Sequence, residues 1–208
     1  VSSSLGQLGM AAAAIGAALT APFAKAVSSA KDFETGFAEV RTLLRDVNDQ
    51  EVAALRDGIL DLSKKFGQDI PTSTKAMYQA VSASVPSENV LSFLEISSKA
   101  AIGGVTDVAT AVDALTNVVN AYGERISEWG DYAERATRVA DILQTTVRDG
   151  KTTFEELAGS IGNVASTAAA GNVSLEEVAA AYATLTKRGI STAEATTALN
   201  QTIIQLIK

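Results

Sequence analysis

The decapeptide "RDGKTTFEEL", Arg148 to Leu157, decides how this chain is read. Its Gly-Lys-Thr triplet belongs either to a phosphate-binding loop between a strand and a helix or to a corner between two helices. A phosphate loop needs G-x-x-x-x-G-K-[ST], so that successive backbone N–H groups surround the phosphates and the lysine adds charge. The first glycine would have to stand at position 145, which is Thr145. The lead-in Val139, Leu143 and Val147 also recurs at the step of a helix. The corner needs only what is present: Gly150 closes one helix, and Thr153 with Glu156 opens the next. Lys151 is therefore not expected to bind a nucleotide.

The same spacing extends over most of the chain. Phe33, Phe37, Val40, Leu44 and Val47 form one stripe, and Val52, Leu55, Ile59, Leu62 and Phe66 form another. Val105, Val108, Val112, Leu115, Val119 and Tyr122 continue it, as do Phe154, Leu157, Ile161 and Val164. Steps of three and four keep side chains on one helix face, whereas on a strand they would fall on both faces. Thr153 with Glu156, Ser174 with Glu177 and Ser191 with Glu194 fit the capping box S/T-x-x-E, and Val173 and Val178 can staple the Ser174 cap. Gly150, Gly171 and Gly189 lie just upstream, suited to the left-handed residue that ends a helix. The turns are short, so consecutive helices should run antiparallel. The expectation is an all-α fold, a multi-helix antiparallel bundle of about seven to nine helices with short Gly and cap turns. The cap-to-cap spacings differ, which argues against a strict repeat.

Composition narrows the chemistry. The 208 residues include no histidine and no cysteine. His-based triads, histidine or cysteine metal sites, thiolate nucleophiles and disulfides are thereby excluded. A net charge of −7 argues against a nucleic-acid partner, which needs basic surface to displace counterions. Ser28 to Lys31 matches S-x-x-K, but the companion elements of penicillin-binding enzymes are missing. Glu155 and Glu156 are adjacent on a helix, point apart and suit its N-terminal dipole. The sequons at Asn172 and Asn200 carry no indication of a secretory route. No catalytic, cofactor-binding or metal-ligating residue is expected.

Leu5 to Ala24 has no charged residue, and its 20 residues would just reach across a hydrocarbon core of about 30 Å. It is mostly alanine and glycine, which favour insertion weakly, and Pro22 interrupts its end. It reads as a close-packed Ala/Gly-rich helix or a linker in preference to a membrane span. A membrane-active module that inserts residues 5–24 remains the alternative. The organisation expected is a lead-in over residues 1–31 and a helical module over residues 32–208.

Three blocks carry a family resemblance: "DFETGFAEVRTLL" from Asp32, "AAIGGVTDVATAVDALTNVVNAYG" from Ala100, and Asp149 to Ile203 with its turn glycines. Their order, with Gly103, Gly104, Gly150 and Gly189, resembles the core region of phage tail tape-measure proteins, also called minor tail proteins. The sequence departs from that pattern at Ser84, where glycine is common, and at Asn172, an insertion before the valine. The resemblance implies a structural, non-enzymatic protein of the virion tail lumen, assembled in the host cytoplasm and acting in tail assembly, length determination and genome ejection. It implies tail tube, tail assembly chaperone and baseplate or tail-tip proteins as partners. Family members are far longer, so the chain is expected to be a fragment without the length-measuring segment. A homo-oligomer, trimeric by the same resemblance, would need an apolar face wider than one neighbour covers. The face expected is Val108, Ala111, Val112, Leu115, Val118 and Val119.

Overall fold

The computed structural model describes residues 29–207 apart from residue 46. Residues 5–24 and Ser28, and with them the readings of the lead-in and of S-x-x-K, lie outside the described residues. Among the described residues there are nine α-helices, two short 3-10 turns and no strand. The helices are α1 (29–43), α2 (Asp49–Phe66), α3 (Ile70–Ser82), α4 (Val90–Gly104) and α5 (Val108–Tyr122). They continue with α6 (Tyr132–Asp149), α7 (Phe154–Ala170), α8 (Leu175–Lys187) and α9 (Thr192–Leu206). The all-α bundle expected from the sequence is the fold observed.

The bundle is built in two layers. Even helices α2, α4, α6 and α8 pack in succession in one layer, and α3, α5, α7 and α9 do so in the other. The most extensive contact is between α5 and α7, next-but-one neighbours in sequence. Alternate helices run parallel, as matching ends meet. Gln144 near the end of α6 donates to the Ala100 carbonyl near the end of α4 at 2.9 Å. Thr192 at the start of α9 donates to Glu156 at the start of α7 at 3.1 Å. Consecutive helices therefore reverse direction at each turn and meet across the layers. Helix α1 lies over α2 and α3, with Phe33, Phe37 and Val40 buried and Arg56 paired to Glu34.

Local chemistry explains where each helix begins. The three capping boxes at Thr153, Ser174 and Ser191 are all formed. Two more, at Asn48 with Glu51 and Asp131 with Glu134, use amide and carboxylate caps that a search for serine and threonine passes over. Asp69 and Asp107 cap α3 and α5, accepting from the N–H of Thr72 and Thr110.

The helix ends depart from expectation. Five helices close with the six-to-one backbone bond of a Schellman motif, for example Val85 N–H to the Ala80 carbonyl at 3.1 Å and Val173 N–H to the Ala168 carbonyl at 2.9 Å. The left-handed residues in these motifs are Gly67, Ser84, Val105, Asn172 and Gly189. Gly189 is as expected. Gly171 is not left-handed, and Asn172 beside it takes that conformation with φ +58°. Gly150 is extended, with φ −99° and ψ −166°. It is needed for space: a Cβ there would lie 2.7 Å from Thr186 Oγ1 and 2.9 Å from the Thr146 carbonyl oxygen. Gly104 answers the same need, since a Cβ there would lie 2.6 Å from Cβ of Phe154. The left-handed position that follows falls on Val105, 92% exposed, where a β-branched side chain is strained.

Val105→Gly should therefore stabilise the chain by about 1 kcal/mol by removing that strain, read as a higher denaturant midpoint with an unchanged slope. Leu115 is fully buried. Leu115→Asp should cost more than about 4 kcal/mol by burying an unpaired charge, read by circular dichroism as loss of helicity at 25 °C.

Candidate functional site

The self-association face expected from the sequence is not an open surface. Val108, Ala111, Val112, Leu115, Val118 and Val119 are each at most 3% exposed within the single chain. Helix α5 meets α3 and α7 in its own layer and α4 and α6 in the other, so its wide apolar face has four neighbours to satisfy. A width that would be surplus against one partner helix is core here.

The Gly-Lys-Thr triplet is a corner. It follows α6, Lys151 is exposed, and the Lys151 N–H donates to Thr186 Oγ1 of α8 at 3.1 Å. Thr152 shares a hydrogen bond with Thr192 at 2.7 Å, and the Glu156 carboxylate accepts from both threonines. The turn's polar groups are thus directed at α7, α8 and α9, and a carboxylate stands among them where a phosphate loop would present donors. Glu155 is exposed, and Lys31 is an exposed side chain of α1. Asn172 accepts from the Arg125 guanidinium at 2.6 Å, so this sequon asparagine serves a turn. The Thr202 hydroxyl of the other sequon donates to the Ala198 carbonyl within its own helix.

Two concavities lie on the even-helix side. A cleft of about 310 Å³ between α6 and α8 has Ile142, Ala179 and Ala183 in its lining, with Asp141 and Asp149 at its border. It is open because alanines of α8 face α6. The α2–α4 contact, by contrast, is filled by Leu91 against Gly58, and the α4–α6 contact by Gln144 against Gly103. A second hollow, about 350 Å³, adjoins it beside Trp129 and the start of α8. Arg138 borders both: its guanidinium stands 4.2 Å from the Trp129 ring centroid and donates to Glu176 at 3.2 Å. No signal in sequence spacing marks this arrangement, because its three residues come from a turn and two helices. Such a surface can receive an apolar side chain or a flat cationic group.

The titratable groups serve structure. Burial pushes the Tyr132 phenol up to about 12; its hydroxyl donates to Asn120 at 3.1 Å. Burial also raises the Tyr122 phenol, whose hydroxyl donates to the Val173 carbonyl. The cap carboxylates move the other way. Glu177 is held low first by the Ser174 N–H and then by its hydroxyl, and Glu194 by the Ser191 hydroxyl and then its N–H. Glu156 is held low by the Thr153 N–H and then by the hydroxyls of Thr192 and Thr152. Among the described residues no acidic cluster could hold a metal ion, and no helix is long and apolar enough to cross a membrane.

Fold and surface together define a helical structural module, and the sequence comparisons give its family. Residues 56–208 match the family model described as phage-related minor tail protein, and the chain belongs to that family, a structural component of the phage tail. It is similar, at 30% identity over 203 residues, to a probable tape measure protein of Clostridium phage phiCD119. That match takes in 96% of this chain and 21% of the relative, so the chain spans about a fifth of the relative's length. No solved structure matches.

The lowered cap carboxylates have a consequence for stability. Folding holds them ionised more firmly than the unfolded chain does. Their contribution is full above the unfolded carboxylate range near about pH 4 and is lost as pH falls below it, through their folded values. The thermal midpoint should stay level between about pH 7 and pH 5 and fall below about pH 4. Glu177→Gln should make that fall shallower, measured by calorimetry across the same range.

Proposed function

We propose that this chain is the folded helical module of a tape measure protein, acting in tail assembly, in setting tail length and in genome ejection. The observation that carries the proposal is the family match over residues 56–208 together with the similarity to a probable tape measure protein along nearly the whole chain. In this reading the protein is assembled in the host cytoplasm and comes to occupy the lumen of the tail. Its partners are the tail tube protein, the tail assembly chaperones and the baseplate or tail-tip proteins, and it functions as a homo-oligomer of trimeric order. Contacts with those partners would fall on exposed surfaces such as the α6–α8 cleft, since the α5 face is enclosed.

The geometry supports a division of labour inside the longer protein. The longest helices described, α2 and α6, have 18 residues, about 27 Å of length each, and the chain doubles back after every one. A module folded this way is a poor ruler. The same span as one extended helix would cover about 270 Å. The length is then set by residues elsewhere in the full protein, and this module acts as a compact body attached to the ruler.

Removal of residues 29–207 from the full-length protein in its phage should abolish intact, infectious tails rather than shorten them by about 270 Å. Electron micrographs showing infectious particles with tails of normal length would defeat the proposal. Tails shortened in proportion to the deletion would make the module part of the ruler.

A further inference from the structure

Two surface features of the even-helix layer fit each other. The first is a projection. Leu91 of α4 packs against Gly58 of α2, which sets Phe66, the last residue of α2, level with Lys99. Helix α4 runs on from there to Gly104, about 7 Å, past the end of α2. Ile102 lies on this overhang, two turns after Glu95, whose carboxylate meets Lys65 of α2, so it stands on the α2 flank of α4. Ile102 is 61% exposed, and Val105 after it carries its strained backbone with an almost bare side chain. The fold gains nothing from a valine there, and strain kept without a structural return points to a contact outside the chain. Lys65 and Lys99 both pair with Glu95 at 2.8 Å, and two ammonium groups sharing one carboxylate leave a positive charge unbalanced beside Ile102.

The second feature is the α6–α8 cleft. Its floor of Ile142, Ala179 and Ala183 is apolar. Of the charged groups at its border, Glu176 is matched by Arg138 and Asp149 by Arg148. Asp141 is left over: no hydrogen bond or ion pair among the described residues reaches its carboxylate. A projection with two apolar side chains and a surplus positive charge therefore answers a hollow with an apolar floor and a surplus negative charge. The two cannot meet within one chain, because the projection is on the α2 flank of α4 and the cleft opens beyond α6, toward α8.

We infer that the chain associates head to tail with a second copy, Ile102 and Val105 of one copy entering the α6–α8 cleft of the next and Lys99 facing Asp141. The contact joins two different surfaces, so it can repeat around a ring or along a row of copies. It is small beside the interfaces of stable dimers, and its dissociation constant should be about 0.1 mM. The inference gives a surface to the homo-oligomer proposed above but rests on the two features themselves, so it can fail while the tail role stands.

Sedimentation velocity on the whole chain, from about 10 μM to about 1 mM, tests it, and the average mass should rise across that range. Val105→Gly, which relieves strain in the fold, should weaken association about tenfold, so that loss of association is not loss of folding. Ala180→Leu, at an exposed position lining the cleft, should do the same by filling it. Lys99→Glu and Asp141→Lys should each weaken association about three- to tenfold and, combined in one chain, restore it. A chain that stays monomeric at about 1 mM would overturn the inference and leave the cleft to another partner. So would association that survives both Val105→Gly and Ala180→Leu, which would put self-association on other faces, or a combined charge exchange that associates no better than either single variant.

Discussion

The packing of α5 between α3 and α7 is the contact on which the rest of the structure depends. Three parallel helices side by side form a layer only if the middle one is apolar on both flanks and on the face that meets the other layer. Helix α5 meets that demand with valines and alanines from Val108 to Val119, closed by Tyr122. Its small and β-branched side chains let neighbours approach closely, and its Tyr122 hydroxyl reaches the Val173 carbonyl to fix the turn after α7. The even helices then fill the second layer, where Ala136, Val139, Ala140 and Leu143 of α6 are buried.

Glycines and caps work at the edges of this arrangement. At Gly104 helix α7, and at Gly150 helix α8, passes so close that a Cβ would collide with it, and the demand is for space. At the helix starts, carboxylates and hydroxyls satisfy N–H groups that the helix leaves unpaired. The glutamates there are ionised for that purpose, which ties the stability of the module to acid. The turns between α6, α7, α8 and α9 are knitted by Thr152, Glu156, Thr186 and Thr192, so the stretch that resembles a phosphate loop spends its polar groups on its own neighbours.

For a tail protein this architecture separates strength from reach. The helices are stacked by neighbour, with every extensive contact among α2 to α9 made between helices that are consecutive or next but one. Short helices that reverse at each turn give a compact body, and the α6–α8 cleft gives that body a concave surface lined by small side chains.

The sequence by itself determined the helices, because the three-to-four apolar spacing needs no knowledge of neighbours. It also determined the starts of α7, α8 and α9, where Thr153, Ser174 and Ser191 and their glutamates act within one turn. Asn48 and Asp131 do the same work and were equally legible had amide and acid caps been sought. The left-handed helix ends were legible at Gly189 and at Gly67, which directly follows the last residue of the α2 stripe. At Ser84, Val105 and Asn172 the surrounding packing imposes the conformation on residues that do not favour it, and only the divergence from the family pattern at Ser84 and Asn172 marked two of them. What the tertiary structure alone decided was the fate of the α5 face. Apolar width in a sequence states how much surface must be covered, and the number of helices available to cover it depends on the layer order, which arises from contacts between residues far apart in the chain.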